Sequence, residues 1–318
     1  MSYDQETSLA ALLSKNFKGK NILVTGGTGS IGSEIVVQLT KYQPKKIVVY
    51  ARSEYRHFLL DCRLKHLKTS TAIDYCIGDI RDKDRLESVM EGINIIFHTA
   101  GLKHVPVCEH NPQEAIKTNI LGSQNIFDLA VKYKINKVIA ISSDKAVNPT
   151  TFMGMTKLVM ERLFIGPHTL DLSSNTIFSV IRFGNVLDSC GSVIPLWREQ
   201  IKNNEPVTVT DKRMKRFFTT IPKAVNSVLL AASIMNGQEL FVLNMHEFNI
   251  YQMAKKLIKK SGVSKKIDIV FTGSRENEKV KELLYTSEEI ANSISKKPFL
   301  IILPNQKLRD ERASFYKI

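Results

Sequence analysis

The stretch NILVTGGTGSIGSE, residues 21–34, constrains this chain more than any other. A short apolar run ends in a turn with Gly26, Gly29 and Gly32 at GxxGxxG spacing, and a helical pattern runs from Ser30 to about Lys41. Glycine allows the tight turn, lets backbone approach a pyrophosphate and lets a helix pack closely on a strand. The free N–H groups at the helix start then face the phosphates. A glycine pattern that both closes a strand and opens a helix has the context a dinucleotide site demands. Gly26, Thr28, Gly29, Ser30, Ile31 and Gly32 are therefore expected to cradle a dinucleotide.

The segments after it repeat the same alternation. KKIVVYA, DYCIGD, NIIFHTA and KVIAISS read as buried strands, and helical stretches separate them. Near-continuous apolar strands alternating with helices predict a parallel sheet covered on both faces, an α/β doubly wound fold. Beyond about residue 180 the pattern turns irregular, with strand-like FSVIRFGN, PVTVTD, ELFVLN and KIDIVF between helices. The expectation is a cofactor domain over residues 1–180. A smaller substrate-binding lobe over 181–318 is interleaved with it, and the cleft between them is the binding site.

The strand ends refine the cofactor. An acid at the end of the second strand would suit the ribose 2′-hydroxyl of NAD. Here Arg52 and Ser53 stand there, which favours the 2′-phosphate of NADP over NAD. Asp79 and Ile80 follow the third strand on the adenine side, and Thr99, Ala100 and Gly101 end the fourth. The net charge of +14 is compatible with a phosphorylated partner, but no aromatic-and-basic repeat suggests nucleic acid. Lysine-rich helix faces such as KKLIKKSGVSKK account for most of it. No apolar run approaches the roughly 20 residues of a membrane span, and the start lacks the layout of a signal peptide. Cys62, Cys76, Cys108 and Cys190 are scattered, as expected of reduced thiols in a cytoplasmic protein with no metal site.

Together TGGTGSIG, GDIRD, HTAG, TNILG and the strip ending in Lys157 resemble the extended short-chain dehydrogenase/reductases, a Rossmann-type group. LKHVPVCEHNPQEAIKTNILG, SSDKAVNP, MGMTK, RFGNVLDSCGSVIPLWREQI and RMKRFFTTIPKAV narrow the resemblance to the UDP-N-acetylglucosamine 4,6-dehydratases of polysaccharide biosynthesis, in order from about Lys18 to Leu284. That resemblance implies a cytoplasmic, NADP-dependent hydro-lyase with a UDP-sugar substrate. Its cycle oxidises C4, removes the C5 proton, expels the C6 hydroxyl as water and returns hydride to C6. Retention at C5 is favoured over inversion. A UDP-sugar epimerase is the enzymatic alternative, and an NADP-sensing or nucleic-acid-binding protein the non-enzymatic one. The helices near 112–134 and 151–165 are expected to pair between subunits.

The resemblance also implies site residues. Asp144 is the acid toward the C6 hydroxyl, Lys145 the C5 base, Ser143 the hydroxyl beside the C4 oxygen, and Lys157 the lysine at the nicotinamide ribose. Asn119 lies at the cofactor. Met153 stands at the position of the usual tyrosine, as in one branch of these dehydratases. A thioether cannot move a proton, so the C4 proton must leave by another route. Asp144 must keep a proton near neutral pH and Lys145 must lose one. Adjacent opposite charges push both the other way, so the assignment asks the two side chains to point apart. Lys103, His104, Asn185, Val193, Arg216, Arg275 and Glu278 match substrate contacts, the arginines suiting the diphosphate. Two blocks depart from the family: RENEK, Arg275 to Lys279, lacks its proline and glycine, and Asp188 and Cys190 replace its usual glycine and arginine.

Overall fold

The computed structural model describes residues 3–166, 169, 175–189, 192–263 and 267–316. Fourteen strands are β1 (Asn21–Thr25), β2 (Lys46–Ala51), β3 (Ala72–Ile77), β4 (Ile95–His98), β5 (Lys137–Ser143), β6 (Ile177–Phe183), β7 (Asn185–Leu187), β8 (Val207–Val209), β9 (Lys215–Thr220), β10 (Leu240–Leu243), β11 (His246–Asn249), β12 (Ile269–Phe271), β13 (Ser293–Lys296) and β14 (Phe299–Ile302). Nine form one sheet in the order β13-β14-β10-β6-β5-β4-β1-β2-β3. From β10 to β3 every pairing is parallel, and β14 and β13 add an antiparallel edge. The doubly wound fold expected from the alternation is present.

The physical cause is visible in the strands. Ile22, Leu23, Val24, Ile47, Val48, Val49, Ile96 and Phe97 are almost wholly buried. Each strand sends alternate residues to opposite faces, so helices must cover both. One face carries the helices Tyr3–Phe17, Ser30–Leu39 and Ile221–Ile234, whose apolar residues join Val24 and Val49 in one core cluster. The other carries Gly122–Lys132 and Phe152–Ile165, with Leu23, Val48 and Phe164 in a second. Neutral His98 links β4 to both sides. Its ring nitrogens lie 2.8 Å from Thr25 Oγ1 and 3.0 Å from Ser123 Oγ. Burial, helped by Lys157, pushes its pKa down to about 3.

Residue 180 lies inside β6, and β10, β13 and β14 enter the main sheet from the second half. The rest of that half forms the sheets β11-β9-β7 and β12-β8. A third core around Trp197, Ile201, Val207 and Ile250 holds the helices Val193–Lys202 and Ile250–Ser261 there. Because the parallel strands share one direction, β1, β4 and β5 end at the same edge. The sheet order reverses between β1 and β4, and ligands of such sheets bind at that switch point. Among the described residues no helix is long and apolar enough to cross a membrane. Cys62, Cys76 and Cys108 are free thiols, whereas Cys190 lies outside the described residues.

Candidate active site

A cleft of about 630 Å3 opens at the switch point. Gly26, Thr28, Gly29, Arg52, Ser53, Asp79, Ile80, Thr99, Ala100 and Gly101 line it, as expected, joined by Tyr50, Arg56, Gly78 and Thr118. Gly26 has φ +65, and a Cβ there would lie 2.8 Å from the Ala100 backbone and 2.9 Å from Thr99 Oγ1. A Cβ on Gly32 would strike Gly26 O and lie 2.8 Å from Thr99 Oγ1. Both positions therefore require glycine. The bare backbone left between β1, β4 and the helix Ser30–Leu39 is a cradle that fits a pyrophosphate. Ser30 and Ile31 open that helix.

At the far rim Arg52 Nη1 lies 3.6 Å from Asp79 Oδ2, with the arginine side chain 57% exposed. Ser53 caps the helix Glu54–Leu64 by accepting from Arg56 N at 3.3 Å. Asp79 is partly buried, which opposes its charge. Hydrogen bonds from Arg81 nevertheless hold its carboxyl below the ordinary range. Asn119 does not line the cleft but braces the loop beyond it. Its Oδ1 accepts from Leu102 N at 2.7 Å, and its Nδ2 donates to Leu102 O and Thr156 Oγ1 at 3.0 and 2.9 Å.

The acid–base strip sits at the end of β5, on the same edge. Ser143 caps a single helical turn, Asp144–Ala146, by accepting from Lys145 N at 3.3 Å. Asp144 is wholly buried. Its Oδ1 accepts from Ser143 Oγ at 2.9 Å and from Lys145 Nζ at 3.1 Å, while its Oδ2 has no hydrogen-bond partner. A Cβ built on Gly184 would lie 3.1 Å from Oδ2, so that oxygen faces a wall without a side chain.

The two side chains do not point apart. Lys145 Nζ also lies 3.5 Å from Glu282 Oε1. Burial opposes the ammonium, but Asp144 and Glu282 outweigh it and hold the Lys145 pKa above the ordinary lysine value. The condition that the two side chains point apart is therefore not met: Lys145 Nζ stands between Asp144 and Glu282.

Lys157, in the helix Phe152–Ile165, behaves in the opposite way. Burial pushes its pKa down to about 8, against the nearby Glu161. It donates to Ile141 O at 2.9 Å, and a Cβ on Gly101 would lie 3.3 Å from Nζ. Lys157 thus stands behind the residue that ends the cleft. Met153, one turn earlier, is 2% exposed and packs with Cys108, Ala115, Leu102, Val105 and Phe152.

Of the expected substrate contacts, Arg216 and Glu278 meet directly. Arg216 is buried and donates to Glu278 Oε1 at 3.2 Å and to Val280 O at 3.1 Å. Arg275 opens a turn that lacks the family's proline and glycine. Glu278 N donates to Arg275 O at 3.1 Å, and Asn277 takes the left-handed φ of 59, a conformation asparagine tolerates better than most residues. Lys279 Nζ donates to Val147 O at 2.6 Å, so the RENEK segment docks beside the strip. Asn185 starts β7 and is half-buried. Val193 opens the helix Val193–Lys202, and exposed His104 caps the helix Val105–His110 next to exposed Lys103. Asp188 pairs with Arg198.

Sequence reasoning missed Glu282 and Lys279 at the strip and Arg56 at the rim. The first two sit in the mixed-charge stretch EKVKELL, where no local pattern separates an inward acid from a solvated one.

A glycine cradle at the switch point and a charged strip one strand away define a dinucleotide-type α/β protein. Residues 22–304 match the family described as "Polysaccharide biosynthesis protein", and the chain belongs to that family. It is 45% identical, over 92% of its length and 88% of the relative's, to an uncharacterized membrane protein of Methanocaldococcus jannaschii. To a UDP-N-acetylglucosamine 4,6-dehydratase (inverting) of Campylobacter jejuni it is 38% identical, over 94% and 87%. To a UDP-glucose 4-epimerase of Rickettsia bellii it is 38% identical, over 87% and 81%. The X-ray structure of Pen from Bacillus thuringiensis superposes with a TM-score of 0.87 at 40% identity, covering 92% of this chain and 91% of that one.

Proposed function

We propose that this chain is an NADP-dependent UDP-N-acetylglucosamine 4,6-dehydratase, which forms a 4-keto-6-deoxy sugar nucleotide for polysaccharide or glycan assembly. The coarser reading, a nucleotide-sugar enzyme of the dehydratase and epimerase kind, rests on the family and on its relatives. The finer one rests on one observation. Wholly buried Asp144 and the amine of Lys145 share the end of β5, and no phenol stands at position 153.

The cleft fits NADP by its glycine cradle and by Arg52 at its rim. Bound there, the nicotinamide would supply the hydride acceptor and then the donor. The residues manage the protons. Lys157 holds the ribose, and its cationic form predominates below about pH 8. Asp144 takes the proton released at C4 and gives it to the C6 oxygen as that oxygen leaves as water. Lys145 takes the C5 proton and later returns it, once Glu282 has lifted the restraint on its charge. Arg216 and Arg275 are the diphosphate side, with Glu278 holding Arg216 until substrate arrives. Lys103, His104, Asn185 and Val193 complete the sugar and uracil contacts.

The helices Val105–His110 and Phe152–Ile165 pack together and leave Val107, Met155 and Val159 about half exposed. That apolar surface supports a homo-oligomer.

Incubation with UDP-N-acetylglucosamine and NMR of the product tests the reading. A new C6 methyl beside a C4 ketone is expected, with the C5 configuration retained. An epimer that keeps its C6 hydroxyl would end the dehydratase reading. The second reading is dehydration with inversion at C5, favoured by the name of the Campylobacter relative. The ring proton couplings of the same product separate the two.

A further inference from the structure

Glu282 belongs to none of the motifs in the sequence, yet it is only 4% exposed. Its Oε1 lies 3.5 Å from Lys145 Nζ. Its Oε2 is buried without a hydrogen-bond partner, and Lys279 Nζ stands 3.9 Å away. The segment around it is fastened at both ends. Before it, Arg216 grips Glu278 and Lys279 donates to Val147 O. After it, buried Arg182 donates to Leu284 O at 2.9 Å and pairs with Glu289 at 2.9 Å and with Glu161. Glu282 is therefore held against Lys145 by a built frame.

Folding alone gives no reason for an acid there. A buried carboxylate with one idle oxygen destabilises relative to an apolar filler. The dehydratase reading, on which this inference rests, supplies a reason. Lys145 must act as an amine, but two acids keep it an ammonium. Once Asp144 carries the C4 proton for the C6 oxygen it cannot accept another. Glu282 is the remaining neighbour of Nζ with an unengaged oxygen.

We propose that Glu282 is the positioning residue that receives the Lys145 proton before C5 is attacked. An N–H bond of the ammonium breaks and an O–H bond forms on Glu282, leaving a neutral amine beside a neutral acid. The amine then takes the C5 proton. After hydride reaches C6, Lys145 returns that proton to C5 and recovers its own from Glu282. No charge leaves the site and no other reagent is consumed.

Glu282→Gln and Glu282→Asp, assayed with UDP-N-acetylglucosamine and NADP across neutral to alkaline pH, test this. Glu282→Gln is expected to lower dehydration at neutral pH about 100-fold, the scale of one lost proton-transfer partner. Reduced nicotinamide should accumulate in a single turnover, because C4 oxidation still proceeds. Its rate should climb with pH as Lys145 loses its proton to solvent, while wild type stays flat. Glu282→Asp, which keeps the carboxylate, should recover at least part of the rate. Wild-type rate and profile in Glu282→Gln overturn the proposal. So does a pH-independent loss shared by both variants, or failure of both to fold, since either marks a structural role. A wild type that makes no dehydrated sugar overturns the dehydratase reading and the relay together. A wild type that turns over beside an equally active Glu282→Gln overturns the relay alone.

Discussion

The cofactor cleft and the acid–base strip lie on one sheet edge but are made in different ways. The cleft is mostly backbone: Gly26, Gly29, Gly78, Ala100 and Gly101 leave space, and the fold's direction change supplies the position. The strip is mostly side chain, with Asp144 and Lys145 from the turn after β5 meeting Glu282 and Lys279 from a segment more than 130 residues later. A site cut from backbone tolerates little change in shape but needs few exact partners. A site of buried charges depends on every partner, because each removal strands another charge. The two regions should therefore respond to substitution in distinct ways.

The largest effect expected on the cleft side is in cofactor choice. Arg52→Glu replaces the rim cation with an acid where a 2′-phosphate would lie. The ratio of NADP to NAD affinity should fall roughly ten- to hundred-fold, the scale of one charged hydrogen bond. Titration of both cofactors checks it. An unchanged ratio would show that Arg52 faces solvent and that the cleft does not read that phosphate.

A smaller effect is expected at Met153. The cluster of Cys108, Ala115, Leu102, Val105 and Phe152 encloses Met153 until it is only 2% exposed. Met153→Tyr should cost about 1–3 kcal/mol of stability, as overpacking does, and should not raise dehydration. Thermal melts and turnover measure the two separately. A large gain in turnover would mean that the site is a tyrosine site that has lost its tyrosine. The strip would then no longer differ from that of a simple dehydrogenase.

The same contrast explains what could be read from the sequence. NILVTGGTGSIG carries strand, turn and helix within a dozen residues, so the cradle was legible from local pattern. Met153 was legible as a missing phenol, and SDK as an acid beside an amine. The relation between Asp144 and Lys145 was not, because neighbouring residues at a strand end can diverge or converge. The short helical turn at Asp144–Ala146 makes them converge. Glu282 was illegible for a further reason: its segment is held by Arg182 and Arg216, whose hydrogen bonds to Leu284 O and Val280 O span 102 and 64 residues of sequence. RENEK lacks the family's proline and glycine, and within it Asn277 takes a left-handed conformation that only the structure reveals.

The central claim is that Asp144 and Lys145 expel water from an oxidised sugar without a phenol. Asp144→Asn keeps the shape and removes the proton. With UDP-N-acetylglucosamine and NADP in deuterated water, reduced nicotinamide should still appear as the C4 proton leaves through water, while the C6 methyl should form roughly 10²–10⁴ times more slowly than in wild type. A C6 methyl formed by Asp144→Asn at the wild-type rate would contradict the account.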